Sequence, residues 1–143
     1  MVGRLSALGA ALAVAAVGAG AVPAAQTPAA VVRAWSAALN ENRNEDAARL
    51  FARNAHVVQP GVDVRLATHA IAVGFNDALP CAGRITHLDV TGSRVVATFV
   101  LGQRPRHRCD GPGLEAAALF LVRNGKIVLW QQVAVPKDKR PPA

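Results

Sequence analysis

Apolar positions recur at two different spacings along this chain, and the change between them divides it roughly in half. Val31, Val32, Trp35 and Leu39 follow a helical stride and predict a helix running to Asn40. Thr27-Pro28 starts it: the threonine hydroxyl caps free amides, and proline loses nothing in a first turn whose N–H groups lack partners. After a short polar connection at 40–43, Asn44 is expected to cap a second helix. Glu45 and Asp46 then lie near its positive end, and Ala47, Leu50 and Phe51 form its buried stripe. A third helix is expected after the Thr68 cap, with Ile71, Phe75 and Leu79 on one face and a stop before Pro80.

Between and beyond these helices the period shortens to that of strands. Residues 56–59 and 62–66 read as short strands split by Pro60-Gly61. Residues 84–90 and 94–101 pair across Thr91-Gly92-Ser93, and 114–123 and 126–135 pair across Asn124-Gly125, a strong hairpin signal. Residues 102–113, with Pro105, Pro112 and a cluster of Arg104, Arg106, His107 and Arg108, read as a loop. That cluster is either an anion site or a solvated loop. Residues 95–101 and 116–122 are apolar on both faces, so helices can cover only one of them. The other face calls for a dimer partner or a hydrophobic ligand cavity.

The N-terminal 24 residues belong to neither pattern. Arg4 is a lone positive charge, positions 5–22 are uncharged and rich in Ala, Val, Leu and Gly, and small residues at 22–24 suit a signal peptidase. We read residues 1–24 as a cleaved export signal, and the protein as secreted, periplasmic or held in the cell envelope. An uncleaved anchor is the competing reading, but the run is padded with Ala and Gly. No stable membrane anchor is expected after cleavage. A single domain then occupies 25–136, followed by a basic, Pro-rich tail at 137–143.

Export changes the meaning of the only two cysteines. Cys81 and Cys109 are expected to form a disulfide, which over a loop of about 28 residues contributes roughly 3 kcal/mol in the chain-entropy model. The sharper alternative, a thiol nucleophile with His87 or His107 as base, sits badly with an oxidising compartment. The net charge of +7 would suit nucleic acid, but the basic residues are scattered, aromatics are 4% and there is no tyrosine. No nucleic-acid partner is expected. His56, His69, His87 and His107 show no metal-ligand spacing, and neither a metal nor a cofactor is expected.

The order helix, helix, short strands, helix and antiparallel meander resembles the nuclear-transport-factor-2-like, SnoaL-like superfamily. Local matches are Val32-Arg33-Ala34-Trp35-Ser36-Ala37-Ala38-Leu39-Asn40, Ala47-Ala48-Arg49-Leu50-Phe51-Ala52 and the closing hairpin from Asn124 to Gln132. The resemblance implies an α+β fold in which N-terminal helices pack on a curved, mainly antiparallel sheet around a cone-shaped pocket. Its members include ketosteroid isomerase, polyketide cyclases, limonene epoxide hydrolase, scytalone dehydratase and binding modules, so fold alone assigns no activity.

Set against the isomerase, this chain departs where the chemistry resides. The base position of an Asp-Pro-x-Gly-like pattern holds Gln59-Pro60-Gly61, and an amide has no useful basicity. The oxyanion-hole tyrosine falls at Trp35, and the protonated aspartate near Ala117, with Glu115 close by. Asp63-Val64-Arg65 only loosely resembles the hydrolase set, and a dehydratase-type site would need tyrosine. The resemblance places Trp130, Gln132 and Trp35 toward the interior. Trp35, Gln59, Phe75, Phe99, Trp130 and Gln132 are the expected ligand-binding residues; the catalytic residues are unknown. The leading expectation is an exported domain that binds a small apolar molecule without known catalysis, as a homodimer through the sheet. The alternatives are a lyase- or isomerase-type enzyme using Glu115, His69 or Asp63, or a protein-interaction module.

Overall fold

The computed structural model describes Gly18 and residues 26–137. Apart from Gly18, the expected export segment lies outside the described residues, as do positions 138–143 of the tail. The elements in chain order are α1 (Pro28–Asn40), α2 (Asn44–Arg49), β1 (Phe51–Gln59), β2 (Val62–Leu66), α3 (His69–Ala78), β3 (Ala82–Thr91), β4 (Arg94–Gly102), β5 (Glu115–Arg123) and β6 (Lys126–Val133). No helix of the described residues is long and apolar enough to cross a membrane.

The six strands form one sheet in the order β2-β1-β6-β5-β4-β3. Consecutive strands from β3 to β6 make the expected antiparallel meander, and β1 joins its far side parallel to β6. The fold is therefore α+β, with helices packed on a mixed, mainly antiparallel sheet. Register breaks between Phe51 and His56, Ile85 and His87, and Leu121 and Val122 bend three of the strands. Asn54, within the first of these breaks, takes a positive φ of 62°.

α1 follows its sequence. The Thr27 hydroxyl accepts from Ala30 N at 3.2 Å, and Val31, Val32, Trp35 and Leu39 are buried. α2 corrects the sequence reading. Arg43 occupies its N-cap without a side-chain cap bond, while Asn44 is the first helical residue and turns its amide toward Asp77 and Arg104. The helix stops at Arg49 because β6 captures the chain: Ile127 N donates to Leu50 O at 2.8 Å, and Phe51 pairs with Ile127. Phe51 thus starts a nine-residue strand instead of closing a helical stripe.

α3 is capped by Thr68 as expected, yet its buried face is rotated. Ala72 and Asn76 point inward, Phe75 and Leu79 are partly buried, and Ile71 is 42% exposed. β3 begins two residues earlier than its pattern suggested, β5 starts at Glu115 and β6 ends at Val133. The core lies between α1 and the inner sheet face. The Trp35 ring sits 5.3 Å from Phe120 and 6.4 Å from Phe99 by centroid, both edge-on. Cys81 and Cys109 are joined, tying the start of β3 to the 103–114 loop.

Candidate functional site

Between α1, the end of α3 and the inner sheet face lies an open cavity of about 250 Å³. Its apolar wall comes from Trp35 and Leu39 on α1, Leu79 after α3, Phe99 and Leu101 on β4, Ala116 and Ala118 on β5, and Trp130 on β6. Alternation along β5 sends Ala116 and Ala118 to this face, and their small side chains leave the space open. A volume near 250 Å³ would hold about eight waters at liquid density.

The floor is fixed by a close pairing of α1 with β3. Asn40 Nδ2 donates to Gly83 O at 2.9 Å, Gly83 N donates to Asn40 Oδ1 at 2.8 Å, and Ser36 Oγ donates to the same carbonyl at 3.0 Å. The asparagine side chain therefore closes the free edge of β3 as a neighbouring strand would. Glycine is required there. A Cβ on Gly83 would stand 2.9 Å from Phe99 Cδ1 and 3.3 Å from its Cβ.

Of the six expected pocket residues, five surround this cavity: Trp35, Gln59, Phe99, Trp130 and Gln132. Phe75 lies outside it. Its ring packs edge-on against Phe51 at 5.9 Å and Trp130 at 5.3 Å, behind the wall and not in it. The two glutamines meet at the rim, where Gln59 Nε2 approaches Gln132 Oε1 at 3.4 Å. The Trp35 indole N–H does not face the cavity as a donor; it is committed to Asn76 Oδ1 at 2.8 Å. Trp130 Nε1 is buried with no hydrogen-bond partner among the described residues.

Asp110 is the lining residue that most changes the expected picture of a pocket without a carboxylate. It is exposed at the mouth, beside Pro80 and Cys81. Its Oδ1 lies 3.5 Å from Cys81 Sγ, a sulfur that carries no hydrogen once in a disulfide, so the contact is not a hydrogen bond. The disulfide is what brings the acid here. That consequence of a Cys109-Asp110 neighbour pair was readable only once Cys81 was placed at the cavity. Cys81, Cys109 and Asp110 cluster within 4.8 Å, but with both sulfurs bonded to each other they offer no thiolate to a metal.

The basic loop resolves into separate roles. Arg104 is 3% exposed and donates to neutral oxygens only: Asn76 O at 2.8 Å, Leu79 O, Asn42 Oδ1 at 2.9 Å and Asn44 Oδ1 at 2.6 Å. Burial pushes its guanidinium below the ordinary arginine value, partly offset by Asp77. The residue is a clasp that closes the C-terminal end of α3 onto the α1–α2 connection. His107 sets Nε2 against Asp77 O at 2.7 Å and Nδ1 against Pro105 O at 2.8 Å. Arg106 and Arg108 are exposed.

The acids and histidines considered for catalysis are dispersed. His69 pairs with Glu45 at 2.6 Å on the surface, and borders a second cleft of about 480 Å³ that also carries Arg49 and Arg53. Asp63 faces His56 at 3.5 Å on the outer β1–β2 hairpin, and Glu115 is exposed at the start of β5. None of the three borders the cavity beneath α1. On the surface of α2, Arg43 holds the Asp46 carboxyl below its usual range.

A family model for the SnoaL-like domain matches residues 32–130. Among solved structures, the chain is similar to a nuclear-transport-factor-2-like protein of unknown function from Cytophaga hutchinsonii, with a TM-score of 0.65 and 13% identity over 78% of this chain and 93% of that one. It is also similar to a provisionally assigned polyketide cyclase from Sinorhizobium meliloti, with a TM-score of 0.59 and 16% identity over 72% of this chain and 93% of the other. A provisionally assigned ketosteroid isomerase from Kribbella flavida gives a TM-score of 0.59 and 20% identity, covering 81% and 83% respectively. At these identities the likeness is one of fold. No curated protein matches the chain.

Proposed function

The chain belongs to the SnoaL-like domain family, within the nuclear-transport-factor-2-like superfamily, and from that premise we propose that it binds a small, largely apolar molecule and performs no chemistry on it. The observation that carries this reading is the lining itself. Indole, phenyl and aliphatic groups make the wall, two amides sit at the rim, and the one ionisable side chain is an exposed aspartate with no polar partner. Proton transfer needs a positioned base within reach of substrate and a second group to receive charge. Gln59 stands where the isomerase-like pattern would put its base, and Trp35 spends its N–H on Asn76. The cavity is also smaller than the roughly 300–1,000 Å³ of sites for drug-sized ligands, which favours a compact guest.

We further propose that the domain acts after export and as a homodimer. Export is supported by the disulfide and by the signal-like composition of residues 1–24. A second copy is supported by the outer sheet face, where Val96, Val100, Leu119, Leu121, Leu129 and Val133 stay partly exposed on adjoining strands. Thermal-shift screening of the oxidised protein against small lipophilic compounds, paired with mass analysis of each compound afterwards, tests the binding reading. Stabilisation with the compound recovered unchanged is expected. Conversion of a stabilising compound would replace binding by catalysis, and no stabilisation by any of them would remove the reading.

A further inference from the structure

The backbone on both sides of the aspartate at the pocket mouth is tied down: Cys109 N donates to Gln103 Oε1 at 3.1 Å, and Cys109 is bonded to Cys81. On the other side, Leu114 N donates to Gly111 O at 3.1 Å, closing the turn that follows, and Gly111 is buried. No hydrogen-bond or ion-pair donor reaches its carboxylate among the described residues, although the chain carries a net charge of +7. No lysine, arginine or histidine lines the cavity with it. An unpaired anion on a tethered stretch of backbone, bordering a cavity with aromatic walls, is complementary to a molecule with an apolar body and a cationic head.

We propose that the cavity selects hydrophobic amines and ammonium compounds, with Asp110 as the counter-charge at the mouth and the Trp35, Phe99 and Trp130 rings around the apolar part. This rests on the binding role proposed for the cavity, and adds the sign of the ligand's charge. The carboxylate contributes selectivity at short range, because the field of the whole chain disfavours cations. The preference is therefore modest, about three- to fivefold over a neutral analogue, as for solvated charge pairs.

The chain supplies its own reporter, since its only two tryptophans both line the cavity. Titrating the oxidised protein with cyclohexylmethylamine, cyclohexylmethanol and cyclohexanecarboxylate, at low salt and neutral pH, compares three head groups on one apolar body. Tryptophan fluorescence gives each affinity. The amine is expected to bind about three- to fivefold tighter than the alcohol, and the carboxylate weakest. Asp110→Asn should bring the amine within about one and a half-fold of the alcohol by weakening the amine more than the alcohol, and keep the fold, because the side chain is exposed. Equal binding of amine and alcohol to the native protein, or an amine preference that survives Asp110→Asn, overturns the charge assignment while leaving the pocket a binding site. No response to any of the three overturns both.

Discussion

Trp35 Nε1 donates to Asn76 Oδ1 at 2.8 Å, joining the middle of α1 to the last turn of α3 at a point where Asn76 has no exposed surface. The same amide donates from Nδ2 to Ala72 O at 2.8 Å, one turn back in its own helix. A polar side chain is tolerated in that core because both ends of it are bonded. Replacing it by Ala or Leu strands the indole N–H without water, a loss of about 1–3 kcal/mol before any packing change. Urea unfolding of Asn76→Leu, followed by far-ultraviolet circular dichroism, should show that loss. An unchanged midpoint would mean the bond contributes nothing.

Gly83 and Phe99 set a second limit. The missing Cβ is the space that the phenyl ring fills, and Phe99 is itself held by Trp35. Gly83→Ala should destabilise the domain by about 1–3 kcal/mol through overpacking. Adding Phe99→Leu to Gly83→Ala should cost less than the two single changes summed, which a double-mutant cycle measures.

Arg104 is predicted to be a structural cation. Arg104→Ala would remove the donor to the Leu79 carbonyl and to the Oδ1 atoms of Asn42 and Asn44, and one of the two donors to the Asn76 carbonyl, costing about 3 kcal/mol. Arg104→Lys should recover little, since a single ammonium cannot reproduce the planar fork that spans four acceptors. Thermal unfolding of both variants separates the need for charge from the need for geometry.

The disulfide closes a loop of 28 residues, so Cys81→Ser with Cys109→Ser should lower stability by roughly 3 kcal/mol. It should also loosen the position of Asp110, while the apolar wall contributed by α1 and the β4–β6 strands persists. Comparing denaturant midpoints of oxidised protein and double variant gives the first effect directly.

On α2, Arg43 lowers the folded-state pKa of Asp46. A depressed carboxyl stabilises the fold above its unfolded pKa, and that stabilisation is lost as pH falls through the lower folded value. The group is fully exposed, so the contribution is small and screened by salt. Asp46→Asn should flatten the acid side of the stability profile slightly at low ionic strength and have no effect in high salt.

Much of this architecture was legible in the chain because it is local. Thr27-Pro28, Thr68 and Asn124-Gly125 act within a few residues of themselves, and each marks the boundary its chemistry predicts. The parts that escaped depend on distant partners. Residues 52–55, Ala-Arg-Asn-Ala, carry no strand pattern, and β1 runs through them because Phe51 and His56 on either side pair with Ile127 and Leu129 of β6, while Ala55 pairs with Leu66 of β2. α3 turns Asn76 inward because the Trp35 N–H is there to be satisfied, and no helical period of apolar residues reveals that. The inward placement of Trp35 and Trp130 was readable from the resemblance, whereas the rotation of α3 puts Phe75 behind Trp130. Asp110 reaches the mouth only through the bond between its neighbour and Cys81.

The central claim is that the space under α1 is occupied in the working protein by a small molecule that leaves unaltered. Native mass spectrometry of the protein isolated from its own cells, with the disulfide intact, reads bound mass and assembly together. The claim predicts a dimer in which each copy retains a small non-covalent adduct, lost on mild activation. Bare chains, with no adduct regained on incubation with small lipophilic amines or alcohols, would contradict it.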